Sequence, residues 1–321
     1  MKVVLMGEAG SHRQDLERGL NGPHEVLELP HHAQHDDGYD DRLSDADVIV
    51  SLRLTRKRPL PDGIKLFQVP GAGLDAIDLT AIPRTTTVCN VYEHEIPIAE
   101  YVLAAMLNDR VRPHDMRADF ASRPWGQLYS QRPLHGELWG KTVGLVGYGR
   151  IGRAIAARAS AFGTRVLAVD DYARSDDVAT VWSTDRLAEL LATADFVLVA
   201  CPLTDRTRGM IDADALNTMK PTGVLINISR AHIVDEDALY EAVRDRRIAG
   251  AVLDVWYRYP STPDDRVTAS RHDFAALDNV WCTPHSSAWT AELSVRRYTR
   301  IAENINRLAA GEPLINVIDR D

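Results

Sequence analysis

The chain has 321 residues, 45% hydrophobic and 26% charged, and its 37 basic against 46 acidic side chains leave a net charge of −9. That length suits about two domains, each able to bury a core, and the acidic balance argues against a general nucleic-acid surface. Three cysteines, Cys89, Cys201 and Cys282, lie far apart in apolar runs, which points to buried free thiols in a reducing compartment rather than to a disulfide frame.

The opening "MKVVLMGEAG" is too short in its apolar part for a signal peptide and reads as a first strand. No run reaches the ~20 apolar residues of a membrane span, so a cytoplasmic protein is expected. Over the first ~95 residues, short apolar runs alternate with polar or helical segments. The strands are 2–6, 25–29, 47–52, 65–69 and 86–91, and Ser11 with Gln14 three residues on resembles a capping box. Pro97 opens "PIAEYVLAAMLNDR", a helix apolar almost all round, fit for an interface between domains or subunits. Residues 112–139 mix prolines, arginines and tryptophans without clear period and read as an irregular arm. A second series of strands follows at 142–147, 165–170, 195–200, 223–229, 250–256 and 279–284, nearly continuous in Val, Leu, Ile and Ala, as strands covered on both faces are. Residues 290–311 form an amphipathic helix ending at Gly311. Strands alternating with helices predict parallel sheets and an α/β fold.

Gly147-Tyr-Gly149-Arg150-Ile151-Gly152 follows a strand and opens a helix. The first glycine permits the tight turn, the second lets the backbone approach a pyrophosphate, and the third lets helix pack on strand. The helix N-terminus then offers free N–H groups to phosphate. The next strand ends in Asp170, 23 residues after Gly147 (170 − 147), where a carboxylate accepts the ribose hydroxyls. Asp171 adds a second negative charge against a 2′-phosphate, so NAD is expected over NADP, although Arg174 could swing toward a phosphate.

Several segments together resemble the D-specific 2-hydroxyacid dehydrogenases, the group that includes glycerate, phosphoglycerate, phosphite and NAD-dependent formate dehydrogenases. They are "VPGAGLDAIDL" (69–79), "IAEYVLAAML" (98–107), "GELWGKTVGLVGYGRIG" (136–152), "CPLTDRTRGMI" (201–211), "INISRAHIVDEDAL" (226–239), "AVLDVW" (251–256) and "NVWCTPHSS" (279–287). The resemblance implies two doubly wound domains: a flavodoxin-like substrate domain of 1–97 plus 288–321, and a Rossmann NAD-binding domain of 98–287 inserted in it. It also implies a homodimer built on an arm near 98–139. The implied reaction is hydride transfer between NAD and a small anionic 2-hydroxy or 2-oxo acid. Arg230 matches the arginine that bridges substrate carboxylate and oxygen, and His285 the acid/base. The Ala72–Gly73 turn matches the backbone loop that holds the carboxylate. Asp254 matches the acceptor for the nicotinamide amide, and Pro202 and Thr207 line the adenosine side. Ile228 and Ser287, in two of the matching segments, go with the cofactor.

The pattern breaks at several positions, first at the partner of the histidine. Most of the family has a glutamate five residues after this aspartate, hydrogen-bonded to the histidine; here that position is Tyr259. A phenol favours imidazolium much less than a carboxylate does, so His285 is expected to titrate lower than in glutamate-bearing relatives and to serve better as a waiting base. Asp264 or Asp265 could instead reach the histidine. His94 falls where formate dehydrogenases carry a formate-binding asparagine, Trp289 and His232 replace small residues, and Arg53, Arg56 and Arg58 could reach an anionic substrate or form a solvated loop. Two alternatives stay open: another oxyanion donor such as formate or phosphite, or a catalytically weak NAD-sensing binding protein.

Overall fold

Each apolar run read as a strand forms one, most of them trimmed by one or more residues at an end. The computed structural model describes residues 1–260 and 264–320. Contacts divide the chain into two units: Met1–His94 with Thr290–Asp321, and Glu95–Trp289. The first unit contains β1 (Lys2–Met6), β2 (Glu25–Leu29), β3 (Val48–Val50), β4 (Leu66–Gln68) and β5 (Thr87–Cys89) in the order β2-β1-β3-β4-β5. Every pairing is parallel, and the order is that of flavodoxin-like sheets.

The second unit holds β6 (Thr142–Val146), β7 (Arg165–Val169), β8 (Ala179–Trp182), β9 (Phe196–Val199), β10 (Val224–Asn227), β11 (Gly250–Leu253) and β12 (Val280–Cys282). They run β12-β11-β10-β9-β6-β7-β8, all parallel. The order reverses between β6 and β9, the switch point where doubly wound sheets bind ligands. Side chains alternate along β9: Phe196 and Leu198 enter one core cluster, Val197 and Val199 the other. Both faces are covered, which explains the unbroken apolar runs.

Five local features differ from expectation. Ser11 forms no capping box; its hydroxyl donates to the Glu8 carbonyl at 2.7 Å, and the helix Arg13–Gly19 begins without a side-chain cap. The helix expected from Pro97 starts at Glu95, since a first-turn proline needs no donor. The arm is helical, over Pro113–Ser122 and Trp125–Ser130. Two of its three prolines mark helix starts: Pro113 sits in the first turn and Pro124 just before the second helix, while Pro133 lies beyond both. Strand β8 was missed because "ATVW" is short and ends half-buried. Cys89 and Cys201 are buried free thiols, whereas Cys282, on the terminal strand β12, is only half-buried. Helix Ala291–Ala310 closes the first unit as expected, with the Thr290 hydroxyl accepting from Leu293 N–H at 3.1 Å and Gly311 left-handed at φ 69°.

Candidate active site

The glycine turn after β6 has the shape a dinucleotide needs. Gly147 has φ 102°, and a Cβ there would lie 2.7 Å from the Cys201 nitrogen; one on Gly152 would lie 2.5 Å from the Gly147 carbonyl. Gly149, by contrast, faces open space, with nothing within 4 Å of a Cβ. Helix Arg150–Ser160 starts there, and the N–H groups of Ile151 and Gly152 have no backbone acceptor among the described residues. Tight packing on two sides and room on the third fit a pyrophosphate on a helix N-terminus.

Asp170 is oriented from both sides. Its Oδ2 accepts from Tyr148 N–H at 2.8 Å, and its Oδ1 from the N–H groups of Tyr172 and Ala173 at 2.8 and 3.0 Å. Each oxygen keeps capacity for a further donor. Asp171 is engaged elsewhere: Thr184 N–H and Arg206 reach it at 2.9 and 3.0 Å. The Thr184 N–H, its hydroxyl and Arg206 hold this carboxyl below the usual range. Its charge is thus matched by Arg206, and the discrimination expected of it falls to Asp170. Arg150 turns to Glu95, with Nη2 at 2.8 Å from the carboxylate. Thr207 braces its loop by donating to the Pro202 carbonyl at 2.7 Å. Ile228 and Ser287 are buried.

Around the histidine the chain is tightly determined. His285 has φ 57°, a left-handed conformation that costs an L-residue on the order of 1 kcal/mol and is tolerated where its surroundings enforce it. Its ring Nδ1 lies 2.8 Å from the Tyr259 hydroxyl, with ring centroids 5.5 Å apart. The same hydroxyl accepts from Trp256 N–H at 3.1 Å. Position 259, where the resemblance led to the expectation of a glutamate, supplies a phenol in hydrogen-bonding contact with the imidazole. Arg230, just after β10, has its carbonyl held by the Asn227 amide at 3.1 Å, and its own Nη1 donates to the Ser229 carbonyl at 2.8 Å.

Asp254, immediately after β11, is completely buried. Its Oδ1 accepts from the Thr283 hydroxyl at 2.6 Å and Ser286 N–H at 2.7 Å, and its Oδ2 from Ser287 N–H at 2.9 Å. The role expected toward a nicotinamide amide is joined by one that sequence reasoning missed, the anchoring of the histidine's own turn. Thr283 stands in plain view in "CTPHSS"; only folding reveals its partners.

In the first unit, the turn at Gly71–Gly73 has two of its carbonyls occupied, while two of its amides find no acceptor among the described residues. Gly71 O accepts from Val91 N–H at 3.1 Å and Ala72 O from the Asn90 amide at 3.0 Å. The N–H groups of Ala72 and Gly73 donate to nothing among the described residues. The loop after β3 lies against this turn, Leu52 sitting 3.4 Å from a Cβ placed on Gly71. That loop carries Arg53, exposed and without an ion pair among the described residues. Arg56 is not available to a substrate as the sequence allowed, while the Arg58 side chain stays largely exposed. Both pair with Asp37 and Asp40, and the Arg56 side chain is wholly buried there. His94 lies against the Tyr92 ring, centroids 6.4 Å apart.

An inserted seven-stranded unit with a phosphate-shaped glycine turn and an oriented histidine defines a dinucleotide-dependent oxidoreductase scaffold. The sequence profile of the "D-isomer specific 2-hydroxyacid dehydrogenase, NAD binding domain" matches residues 103–287, and the chain belongs to that family. It is 37% identical over 300 residues to the glyoxylate reductase of Korarchaeum cryptofilum, covering 88% of this chain and 85% of that one. With the (S)-sulfolactate dehydrogenase of Chromohalobacter salexigens it shares 36% over 281 residues, 83% of this chain and 87% of that one. The chain spans about half the length of the D-3-phosphoglycerate dehydrogenases it also matches. Its fold superposes on the crystal structure of 2-hydroxyacid dehydrogenase from Ketogulonicigenium vulgare with a TM-score of 0.79 at 25% identity, over 99% of this chain and 98% of that one. Among the described residues no helix is long and apolar enough to cross a membrane.

Proposed function

We propose that the chain is an NAD-dependent oxidoreductase acting on a small anionic 2-hydroxy or 2-oxo acid, with Arg230 binding the substrate and His285 as acid/base. The observation that carries this reading is the His285 ring held 2.8 Å from the Tyr259 hydroxyl, on a left-handed turn, in the unit that also holds the glycine loop. A base oriented by a third group is what proton transfer at a reacting hydroxyl requires.

Bound NAD supplies the acceptor for the hydride leaving the hydroxyl-bearing carbon. The chain's residues do the rest. His285 takes the hydroxyl proton as that carbon becomes a carbonyl and passes it to solvent. The Arg230 guanidinium fork suits a carboxylate and its neighbouring oxygen, and the free amides of Ala72 and Gly73 suit the carboxylate. Asp170 accepts the ribose hydroxyls, which favours NAD over NADP. Gly147, Gly149, Arg150, Ile151 and Gly152 frame the pyrophosphate, Pro202 and Thr207 the adenosine side, and Ile228, Asp254 and Ser287 the nicotinamide side. A phenol beside the imidazole favours its charged form less than a carboxylate would, which favours oxidation of the alcohol over reduction of the oxo acid.

Arg53 favours a substrate larger than formate. An exposed cation with no ion pair among the described residues, beside an amide-lined turn, suits a second acid group, and sulfolactate and 3-phosphoglycerate, for which two of the relatives are named, each carry one. We place the enzyme in the cytoplasm, where its free thiols stay reduced, as a homodimer joined through the arm.

The test is NAD reduction measured over D- and L-2-hydroxy acids with and without a second acid group, formate and phosphite. Turnover that disappears in Arg230→Ala and His285→Ala establishes the enzyme. Formate or phosphite as the sole donor replaces the 2-hydroxy acid reading, and tight NAD binding with no donor turned over points to the sensing module.

A further inference from the structure

The histidine's turn is held by a chain of hydrogen bonds that starts on another element. The Thr283 hydroxyl has one proton, and at 2.6 Å it is given to the carboxylate of Asp254, which can only accept when ionised. The Tyr101 hydroxyl, 2.7 Å from the same Thr283 oxygen, must then be the donor in that pair. Burial pushes the Tyr101 phenol up to about 12, so it keeps its proton at any working pH. The direction is fixed: Tyr101 donates to Thr283, and Thr283 to Asp254. Asp254 in turn accepts from the N–H groups of Ser286 and Ser287, the two residues that follow His285. Trp256 closes the far side, its indole N–H donating to the Thr283 carbonyl at 2.9 Å, while His285 N–H donates to that carbonyl at 3.0 Å.

We infer that Tyr101 and Thr283 are positioning residues for His285, acting through the Asp254 carboxylate to hold the 283–287 turn left-handed. The inference rests on the acid/base reading of His285 and goes beyond it by assigning the turn's geometry to a hydroxyl on helix Glu95–Val111. Tyr259 orients the imidazole ring; the Tyr101–Thr283–Asp254 chain fixes the backbone from which the ring projects. A left-handed turn with two of its amides on one buried carboxylate relaxes when that carboxylate loses its own anchor. A small displacement of a proton-transfer group costs much in rate.

The test compares Thr283→Val, Thr283→Ser and Tyr101→Phe. If Thr283 merely fills space, the isosteric valine is neutral and the smaller serine is harmful. A positioning hydroxyl reverses that order: Thr283→Val lowers kcat by about tenfold or more with NAD affinity held within about twofold, and Thr283→Ser restores it. Tyr101→Phe lowers kcat in the same way and adds little on top of Thr283→Val, because both break one chain. Amide exchange at Ser286 and Ser287 is read alongside, slow in the parent and in Thr283→Ser and fast in Thr283→Val. Valine at parental rate with slow exchange overturns the inference. A His285→Ala variant run in parallel separates the two readings. Turnover surviving that change sinks the acid/base role, and the exchange data then still decide whether the hydroxyl chain holds the turn.

Discussion

The turn at 283–287 and the arm at 113–130 belong to the same unit and treat their surfaces in opposite ways. In the turn the polar groups are matched closely: both oxygens of Asp254 are engaged, and the histidine is held by its backbone and by its ring. In the arm no residue of either helix is buried. Phe120, Trp125 and Tyr129 are 66%, 65% and 60% exposed and touch chiefly one another, with centroids 5.9 and 5.5 Å apart. The turn is complete within one chain and carries backbone strain, as sites built for chemistry do. The arm leaves its rings exposed within one chain. A ten-residue helix without a buried face is marginal in water, and exposed rings in a row mark a surface for a partner. Loss of function is therefore expected to be steep at the turn and shallow at the arm.

The largest effect is expected at the proposed acid/base. His285→Ala should lower kcat/KM by about 10³-fold, within the range assigned to a positioned general base, while NAD binding followed by fluorescence is retained. Arg230→Lys keeps the charge but loses the fork of donors, so KM for the acid should rise more than kcat falls. A drop in kcat alone would instead place Arg230 at the transition state only.

Much of this was legible in the sequence because its causes are local. The glycines at 147, 149 and 152 must be where they are for turn, phosphate and packing, and the strand-ending Asp170 follows at a fixed distance. The strands announce themselves because both faces of each sheet are covered. What was hidden depends on partners distant in sequence. Asp171 looked like a repelling charge until Arg206, 35 residues on, proved to neutralise it. Arg56 and Arg58, open in the sequence between substrate contact and a solvated loop, pair with Asp37 and Asp40. The hydroxyl of Tyr101 joins Thr283 across 182 residues, and no spacing rule reaches that far. The prolines of the arm misled for another reason, since a proline ends one helix and begins the next with equal ease.

A smaller effect is expected from changing the partner of His285. Replacing Tyr259 by glutamate puts a negative charge beside the imidazole and favours its charged form. Alcohol oxidation needs the neutral ring, so the acid limb of its kcat/KM profile should move to higher pH, and oxidation near neutrality should fall. Reduction needs the charged ring, so its profile should extend to higher pH. Tyr259→Phe removes the contact altogether and should lower kcat by roughly tenfold in both directions, the cost of an unoriented ring. Profiles that coincide for parent, glutamate and phenylalanine forms would mean that the 2.8 Å contact has no part in proton transfer.

The smallest effect on turnover, and the largest on assembly, is expected from the arm. Phe120→Ser with Trp125→Ser removes two of its three clustered rings and touches none of the groups that hold His285, Arg230 or the glycine turn. If the arm joins two copies, sedimentation over a range of concentrations should show the parent as a dimer and the double variant dissociating at least about tenfold more readily, since a buried interface aromatic is commonly worth more than 1 kcal/mol. Activity per chain in the assembled fraction should change little. A dimer of unchanged affinity would move the contact elsewhere, and a monomeric parent would leave the exposed rings to a different partner. If activity collapsed together with assembly, the contrast itself would break: the turn would then depend on the second copy, and the hydrogen bonds within one chain would be insufficient to hold His285.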